Sequence, residues 1–307
     1  MPEPKAGAVT EPSAPRGLDC RGRFLRCGRG PHGAAVVMGI LNITPDSFFD
    51  GGRYMRLSDA LHRAEEMIDE GATIIDIGGE SSRPGGKTYG EGAQPITDEE
   101  EISRVVPVIE AVVEQFPETF VSIDTYKPAV ARTALEAGAH IVNDISGLRY
   151  DPETARVAAE AGAPLVVMHS VGMPGALAHE VEHDDVVEAV YRSLAASVEE
   201  ARRAGVCDVV VDPGFGFGKS TRDNLRLLKY LDRFADLAGP VLVGISRKST
   251  IGRVLERDGV IADVHERLSG SLGATAVALM HGASIVRTHD VRPTIDLLRV
   301  VKAIVDA

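Results

Sequence analysis

Nine residues at 212–220, Asp-Pro-Gly-Phe-Gly-Phe-Gly-Lys-Ser, carry the ingredients of a phosphate-binding loop. Such a loop works by leaving backbone N–H groups free at fixed offsets, so spacing decides the matter. Counting back from Gly218-Lys219-Ser220, the first glycine of a triphosphate loop falls on Pro213. A dinucleotide fingerprint begun at Gly214 and Gly216 puts its third glycine on Lys219. Both readings fail, and the segment must serve another ligand.

Other residues able to do chemistry recur where apolar runs end: Asn42, Asp76, Asp124, Asn143 with Asp144, His169, Asp212, Ser246, and Arg287 with His289. Asp124, Asn143 and Asp212 offer carboxylates and one amide, a set that reads a flat, donor-rich ring such as an aminopyrimidinone. Arg83, Lys248, Arg287 and His289 put positive charge on an acidic chain and point to an anion, phosphate or diphosphate. A ligand with such a ring at one end and phosphate at the other satisfies both sets. Asp212 precedes a proline, so turn formation is its alternative role. His169 reads as a packing residue at a strand end and is left out of the site.

The elements that must position these side chains alternate along the chain. Apolar, β-branched runs at 35–42, 73–79, 120–124, 140–144, 164–169, 208–212, 240–246 and 284–290 are each followed by a segment of helical period. Those segments lie at 58–71, 98–116, 128–138, 151–162, 184–205, 223–237, 267–282 and 291–306. Near-continuous apolar strands covered by helices indicate a parallel sheet. Eight strand–helix units predict an α/β fold, a single (β/α)8 TIM barrel over 34–307, whose strand C-termini meet at one mouth. A doubly wound open sheet is the alternative, because periodicity does not show closure. Residues 1–33, rich in Pro, Gly and Arg without a hydrophobic period, predict a disordered or loosely attached tail.

Composition narrows the functional classes. With 33 basic against 45 acidic residues the net charge is −12, which argues against nucleic acid as a partner. No apolar run approaches the length needed to cross a bilayer, and the first residues lack a signal-peptide core. The three cysteines, none in a C-x-x-C pair, fit a reduced, cytoplasmic protein. No His or Cys cluster has zinc-ligand spacing.

Taken together, the blocks MGILNITPDSFFDGG (38–52), GATIIDIGGESSRPG (71–85), SIDTYKPAVA (122–131), GAHIVNDISGL (138–148), DPGFGFGK (212–219), VGISRKSTIG (243–252), ERLSGSLGATA (266–276) and VRTHDV (286–291) resemble the dihydropteroate synthase family. The resemblance runs from residue 36 to about 305 in the family's order. It implies transfer of a pterin from 6-hydroxymethyl-7,8-dihydropterin diphosphate to p-aminobenzoate in folate biosynthesis, with sulfonamides as competitors of p-aminobenzoate. It also implies that the glycine loop shapes the pterin pocket below Asp212.

Carried onto this chain, the resemblance makes Asn42 the ligand of a Mg²⁺ ion that bridges the substrate diphosphate. Asp124, Asn143, Asp212 and Lys248 hold the pterin ring, and Ser82, Arg83, Arg287 and His289 take the diphosphate. Phe48, Pro84, Lys248 and Ser249 line the p-aminobenzoate slot, with Phe217 and Thr288 completing the substrate-binding set. Asp124, Asp212, Lys248, Arg287 and His289 are the residues expected to carry catalysis. Residues 46–50 and 81–85 are expected to be mobile loops over the site, and the late helices to form a homodimer. Two rivals remain: a corrinoid-type methyl-transfer domain with the same barrel, and a homologue that binds without turnover. The chain departs from the family pattern in a longer segment at 83–101, a loosely matching stretch at 169–187, and Phe49 where a small residue is common.

Overall fold

Strands buried on both faces need helices on one side and strand neighbours on the other, and the alternating chain supplies both. The computed structural model describes residues 17–31, 33, 35–43, 53–81, 95–173, 176–177, 181 and 183–307. Its elements are β1 (Gly17–Cys20), β2 (Arg23–Arg26), β3 (Val36–Asn42), α1 (Arg53–Asp69), β4 (Ile74–Gly78), α2 (Asp98–Gln115), β5 (Phe120–Asp124), α3 (Pro128–Glu136) and β6 (Ile141–Asp144). There follow α4 (Glu153–Glu160), β7 (Leu165–Met168), a short pair β8 (Gly172–Met173) and β9 (Ala176–Leu177), α5 (Val186–Arg203), β10 (Val209–Asp212) and α6 (Thr221–Lys229). The chain ends with β11 (Leu242–Gly244), α7 (Ser249–Val254), α8 (Leu268–Met280), β12 (Ile285–Thr288) and α9 (Val291–Asp306).

Eight parallel strands pair in the order β10-β7-β6-β5-β4-β3-β12-β11. The ring closes between β10 and β11, where Val211 bridges Val241 in parallel and the Val211 N–H donates to the Pro240 carbonyl at 3.2 Å. This is the closed barrel, and the open sheet is excluded. Local chemistry agrees with the helix starts. Thr97 caps α2 by accepting the Glu100 N–H, and four acidic residues fill its first turn against the helix dipole. Among the described residues no helix is long and apolar enough to cross a membrane.

The tail expected over 1–33 requires correction for its second half; residues 1–16 lie outside the described residues. β1 and β2 form an antiparallel hairpin whose turn, Arg21-Gly22, has φ of 60° and 86°. Positive φ at both positions is the two-residue turn that matches strand twist. Leu18, Cys20, Leu25 and Cys27 point to one side and pack on the first residues of the barrel strands, among them Val36, Ile74, Phe120, Ile141 and Ile285. The hairpin therefore stoppers the N-terminal end of the barrel.

Polar contacts fasten it there. Arg21 Nη1 donates to the Leu135 and Ala139 carbonyls, both at 2.7 Å. The Arg23 guanidinium lies 4.5 Å over the Phe120 ring, with Nη1 2.9 Å from His140 Nε2. Burial, then Arg23, lowers the His140 pKa to about 4, so its ring is neutral. Burial also pushes the Cys20 and Cys27 thiols up to about 12, which leaves them inert packing groups.

Candidate active site

Parallel pairing places the ends of successive strands side by side. The register sets Gly78 opposite Asp124, Asp124 opposite Asn143, and Gly244 opposite Arg287. Arg287 organises the centre of the mouth: its Nε donates to Asp76 Oδ2 at 2.6 Å and its Nη2 to Asp124 Oδ2 at 2.5 Å. Asn143 Nδ2 donates to the same Asp76 oxygen at 3.2 Å. Burial acts to discharge Arg287, but the Asp76 and Asp124 carboxylates outweigh it and push its pKa up. Asp124 is also shifted up, but by burial: burial raises its pKa, Arg287 opposes, and Asp76 adds to the rise.

Asp76, a strand-end carboxylate in the sequence, joins the site in the structure. It is fully buried, and its Oδ1 makes no hydrogen bond among the described residues. The missing signal was a partner: nothing in the sequence pairs positions 76 and 287, which only barrel closure brings together.

Opposite this cluster sits the glycine loop. Gly214, Gly216 and Gly218 have φ of 69°, 82° and 78°, so the alternating glycines serve three left-handed turns. Gly214 N–H donates to Asp212 Oδ1 at 2.7 Å, and Gly216 N–H to Asn224 Oδ1 at 2.7 Å. Lys219, the lysine that mimicked a phosphate loop, is buried and donates to the carbonyls of His169, Gly214 and Phe217 at 3.1, 2.8 and 3.2 Å. It fastens the loop and meets no open space.

Lys248 takes the place facing the mouth. Its Nζ donates to the Phe215 carbonyl and lies 4.1 Å over the Phe217 ring. Burial lowers the pKa of Lys248 and of Lys219 to about 7 each, against the opposing pull of Asp212. Burial raises that of Asp212, with Lys248 opposing. His169 is buried with Nδ1 unpartnered among the described residues, and burial holds its pKa at about 2, as suits a packing residue.

On the remaining side, His289 Nδ1 lies 3.1 Å from Ser246 Oγ, and the His289 backbone N–H donates to that oxygen at 3.2 Å. Ser249 opens α7 directly after Lys248. Thr288 needs correction as a substrate ligand. Its neighbour Arg287 points into the mouth, so Thr288 on the same strand faces outward. There it is buried, and its hydroxyl accepts from the Asp290 N–H at 3.1 Å and from Thr294 Oγ1 at 3.4 Å. The assignments to Phe48, Ser82, Arg83 and Pro84, and the loops at 46–50 and 82–85, lie outside the described residues.

The segment that leads to Arg83 has its described flanks tied together by residues absent from the sequence assignment. Lys127 Nζ donates to Glu80 Oε2 at 2.6 Å, Glu101 Oε2 at 2.8 Å and the Ile96 carbonyl at 2.7 Å. Tyr126 donates to Glu80 Oε1 at 2.5 Å.

Asn42, the residue assigned to Mg²⁺, ends β3 and is exposed. A Cβ built on Gly78 would lie 3.6 Å from Asp124 Oδ2 and 3.7 Å from Asn42 Oδ1, so the two oxygens flank one glycine. No group of three or more His, Cys, Asp or Glu with metal-ligand geometry occurs among the described residues. Mg²⁺ commonly takes one or two protein oxygens and fills its octahedron with phosphate oxygens and water, and this sparse oxygen set fits that pattern.

Residues 38–289 match the family model described as pterin binding enzyme. The dihydropteroate synthase of Escherichia coli K12 is 45% identical over 273 residues, covering 88% of this chain and 92% of that protein. The Xanthomonas albilineans dihydropteroate synthase with 4-aminobenzoic acid superposes with a TM-score of 0.83 at 41% identity, over 95% of this chain and 98% of that one. A second structure of that enzyme, in complex with 7,8-dihydropteroate, gives 0.79 at 39% identity, over 95% and 100% of the two chains. The chain belongs to the dihydropteroate synthase family of pterin-binding enzymes.

Proposed function

We infer that this protein joins 6-hydroxymethyl-7,8-dihydropterin diphosphate to p-aminobenzoate, releasing diphosphate and 7,8-dihydropteroate. The observation that carries the reading is the convergence of Asp124, Asn143 and Asp212 with Lys248 and Arg287 on one mouth, in a chain 45% identical to a named dihydropteroate synthase.

The residues divide the work by charge. Asp124 and Asp212 accept the ring N–H and exocyclic amine of the pterin, and Asn143 reads donor and acceptor together. Arg287 Nη2 donates to Asp124 Oδ2, so a pterin ring that takes Asp124 competes with Arg287 and turns Nη2 toward phosphate. His289 and Lys248 add donors on either side of Arg287. Lys248 and Ser249 line the p-aminobenzoate slot. Asn42 would hold Mg²⁺, and when bound the ion neutralises charge on the leaving diphosphate.

The aromatic amine is neutral near physiological pH and needs no strong base. Its nitrogen attacks the pterin methylene carbon, the carbon–oxygen bond breaks, diphosphate leaves with the bonding pair, and the amine proton passes to solvent. Asp124 and Asp212 stabilise positive charge that develops on the ring, so catalysis rests on positioning and electrostatics.

Diphosphate release by the purified protein should require both p-aminobenzoate and Mg²⁺. No release at saturating substrates would favour binding without turnover, and release indifferent to Mg²⁺ would remove Asn42 from its role. A corrinoid-type methyl transfer gives no use to Arg287 and His289 as anion ligands.

The lowered Lys248 pKa makes a pH prediction with a definite sign. A lysine with a depressed pKa is cationic below about 7 and neutral above it. Hence kcat/KM for the pterin diphosphate should decline above that pH. Lys248→Arg, whose guanidinium stays charged, should carry the plateau to roughly pH 9 or beyond. A decline unmoved in Lys248→Arg would assign it to Lys219, the other cation shifted to about 7.

The protein also works as a homodimer in this reading. Val277 and Met280 on α8 and Val300 and Ile304 on α9 are exposed large apolar side chains on adjoining helices. Sedimentation should give twice the 32.6 kDa chain mass; a monomer at micromolar concentration would contradict it.

A further inference from the structure

The ends of β11 and β12 are bound to each other by a pair with no assigned role. Arg247 has φ of 56°, in the left-handed region that long side chains rarely enter. Its N–H donates to Ser271 Oγ at 3.0 Å, and its carbonyl accepts from Arg267 Nη1 at 3.0 Å. Its guanidinium makes a fork on Asp290, with Nε to Oδ2 at 2.9 Å and Nη2 to Oδ1 at 2.5 Å. The Asp290 side chain is 12% exposed and that of Arg247 32%, so the fork is largely withdrawn from water. Ser246 Oγ adds a weaker link, lying 3.5 Å from Asp290 Oδ2.

The position of this fork in the chain is telling. Lys248 and Ser249 follow Arg247 directly, and Arg287 and His289 precede Asp290 within three residues. A shift of either backbone end would move one set of ligands relative to the other. Lysine cannot substitute, because a point charge does not reproduce the two parallel bonds of a guanidinium on a carboxylate.

We propose that Arg247 and Asp290 are positioning residues that hold the Lys248–Ser249 side of the mouth in register with the Arg287–His289 side. The proposal rests on the functional reading above. Neither residue touches substrate; each acts through its neighbours.

Asp290→Asn and Arg247→Lys each break the fork and leave both side chains polar. In each variant the KM values for pterin diphosphate and p-aminobenzoate should rise together by about tenfold, as for one lost charge-assisted fork. The change in kcat should stay within about threefold. The double variant should be no worse than either single one, since the pair acts as a unit. Amide hydrogen exchange at residues 246–249 should quicken in both variants, a readout independent of turnover. Unchanged exchange there overturns the proposal. So does a lowered melting temperature with both KM values intact, or additive losses in the double variant. If the wild-type protein releases no diphosphate, the functional reading fails while the exchange measurement still judges the pair.

Discussion

Arg287→Ala should weaken the pterin diphosphate by about thirtyfold to a few thousandfold, while the free pterin alcohol loses far less. Truncating one partner of a buried, hydrogen-bonded charge pair costs about 2–5 kcal/mol, and each 1.4 kcal/mol is tenfold in affinity. The diphosphate ligand meets that loss in full, whereas the alcohol keeps Asp124, Asn143 and Asp212. Calorimetric titration with both ligands separates the cases, and equal losses would contradict the anion role.

The same substitution should also lower stability. Arg287 is the cation bonded to Asp76, which is fully buried and has one oxygen already unpartnered among the described residues. Leaving that carboxylate uncompensated costs about 3–5 kcal/mol. Asp76→Asn in the same chain should restore much of the melting temperature and none of the diphosphate affinity. A double variant that regained both would show that Arg287 only neutralises its neighbours.

Gly214→Ala is expected to be the most damaging small change in the loop. A Cβ there would fall 1.7 Å from the His169 carbonyl oxygen, and the residue has φ of 69°. The left-handed conformation alone costs a non-glycine residue about 1–2 kcal/mol. The clash is with backbone, so the chain must move, and with it the N–H that holds Asp212 Oδ1 and the carbonyl that anchors Lys219. Gly162→Ala is the control: its φ is 65°, but its Cβ would meet nothing within 4 Å. Scanning calorimetry should show Gly162→Ala melting about 2–6 °C lower, and Gly214→Ala either insoluble or lowered by at least twice as much. Equal shifts in the two would mean that the loop yields where the geometry says it cannot.

How much of this was legible beforehand depends on the length scale of each signal. The β5 run at 120–124 and the helix at 291–306 stand in the sequence with the boundaries the fold gives them, because composition and period change together there. The helix expected at 223–237 divides instead into α6 and a 3-10 turn at Leu231–Asp236. The β1–β2 hairpin escaped because four-residue strands crowded with arginine show no period of their own; only the inward pairs Leu18/Cys20 and Leu25/Cys27, flanking Arg-Gly, hinted at it. Strand-end residues with chemical character were readable as a class. Which of them bond each other was not, since Asp76, Asp124 and Arg287 meet through closure between distant parts of the chain. Thr288 shows the opposite failure: its place beside Arg287 suggested a ligand, yet strand alternation turns it away.

The packed barrel interior, with the hairpin stopper beneath it, makes the mouth a cul-de-sac. With Met38, Val166, Val210 and Leu242 packed inside the barrel above Leu18, Cys20, Leu25 and Cys27, everything must pass the same doorway. The guest seated deepest then has to arrive first, and nothing behind it can push it out. Discharge of the spent anion through that one entrance is what reopens the room for the next cycle.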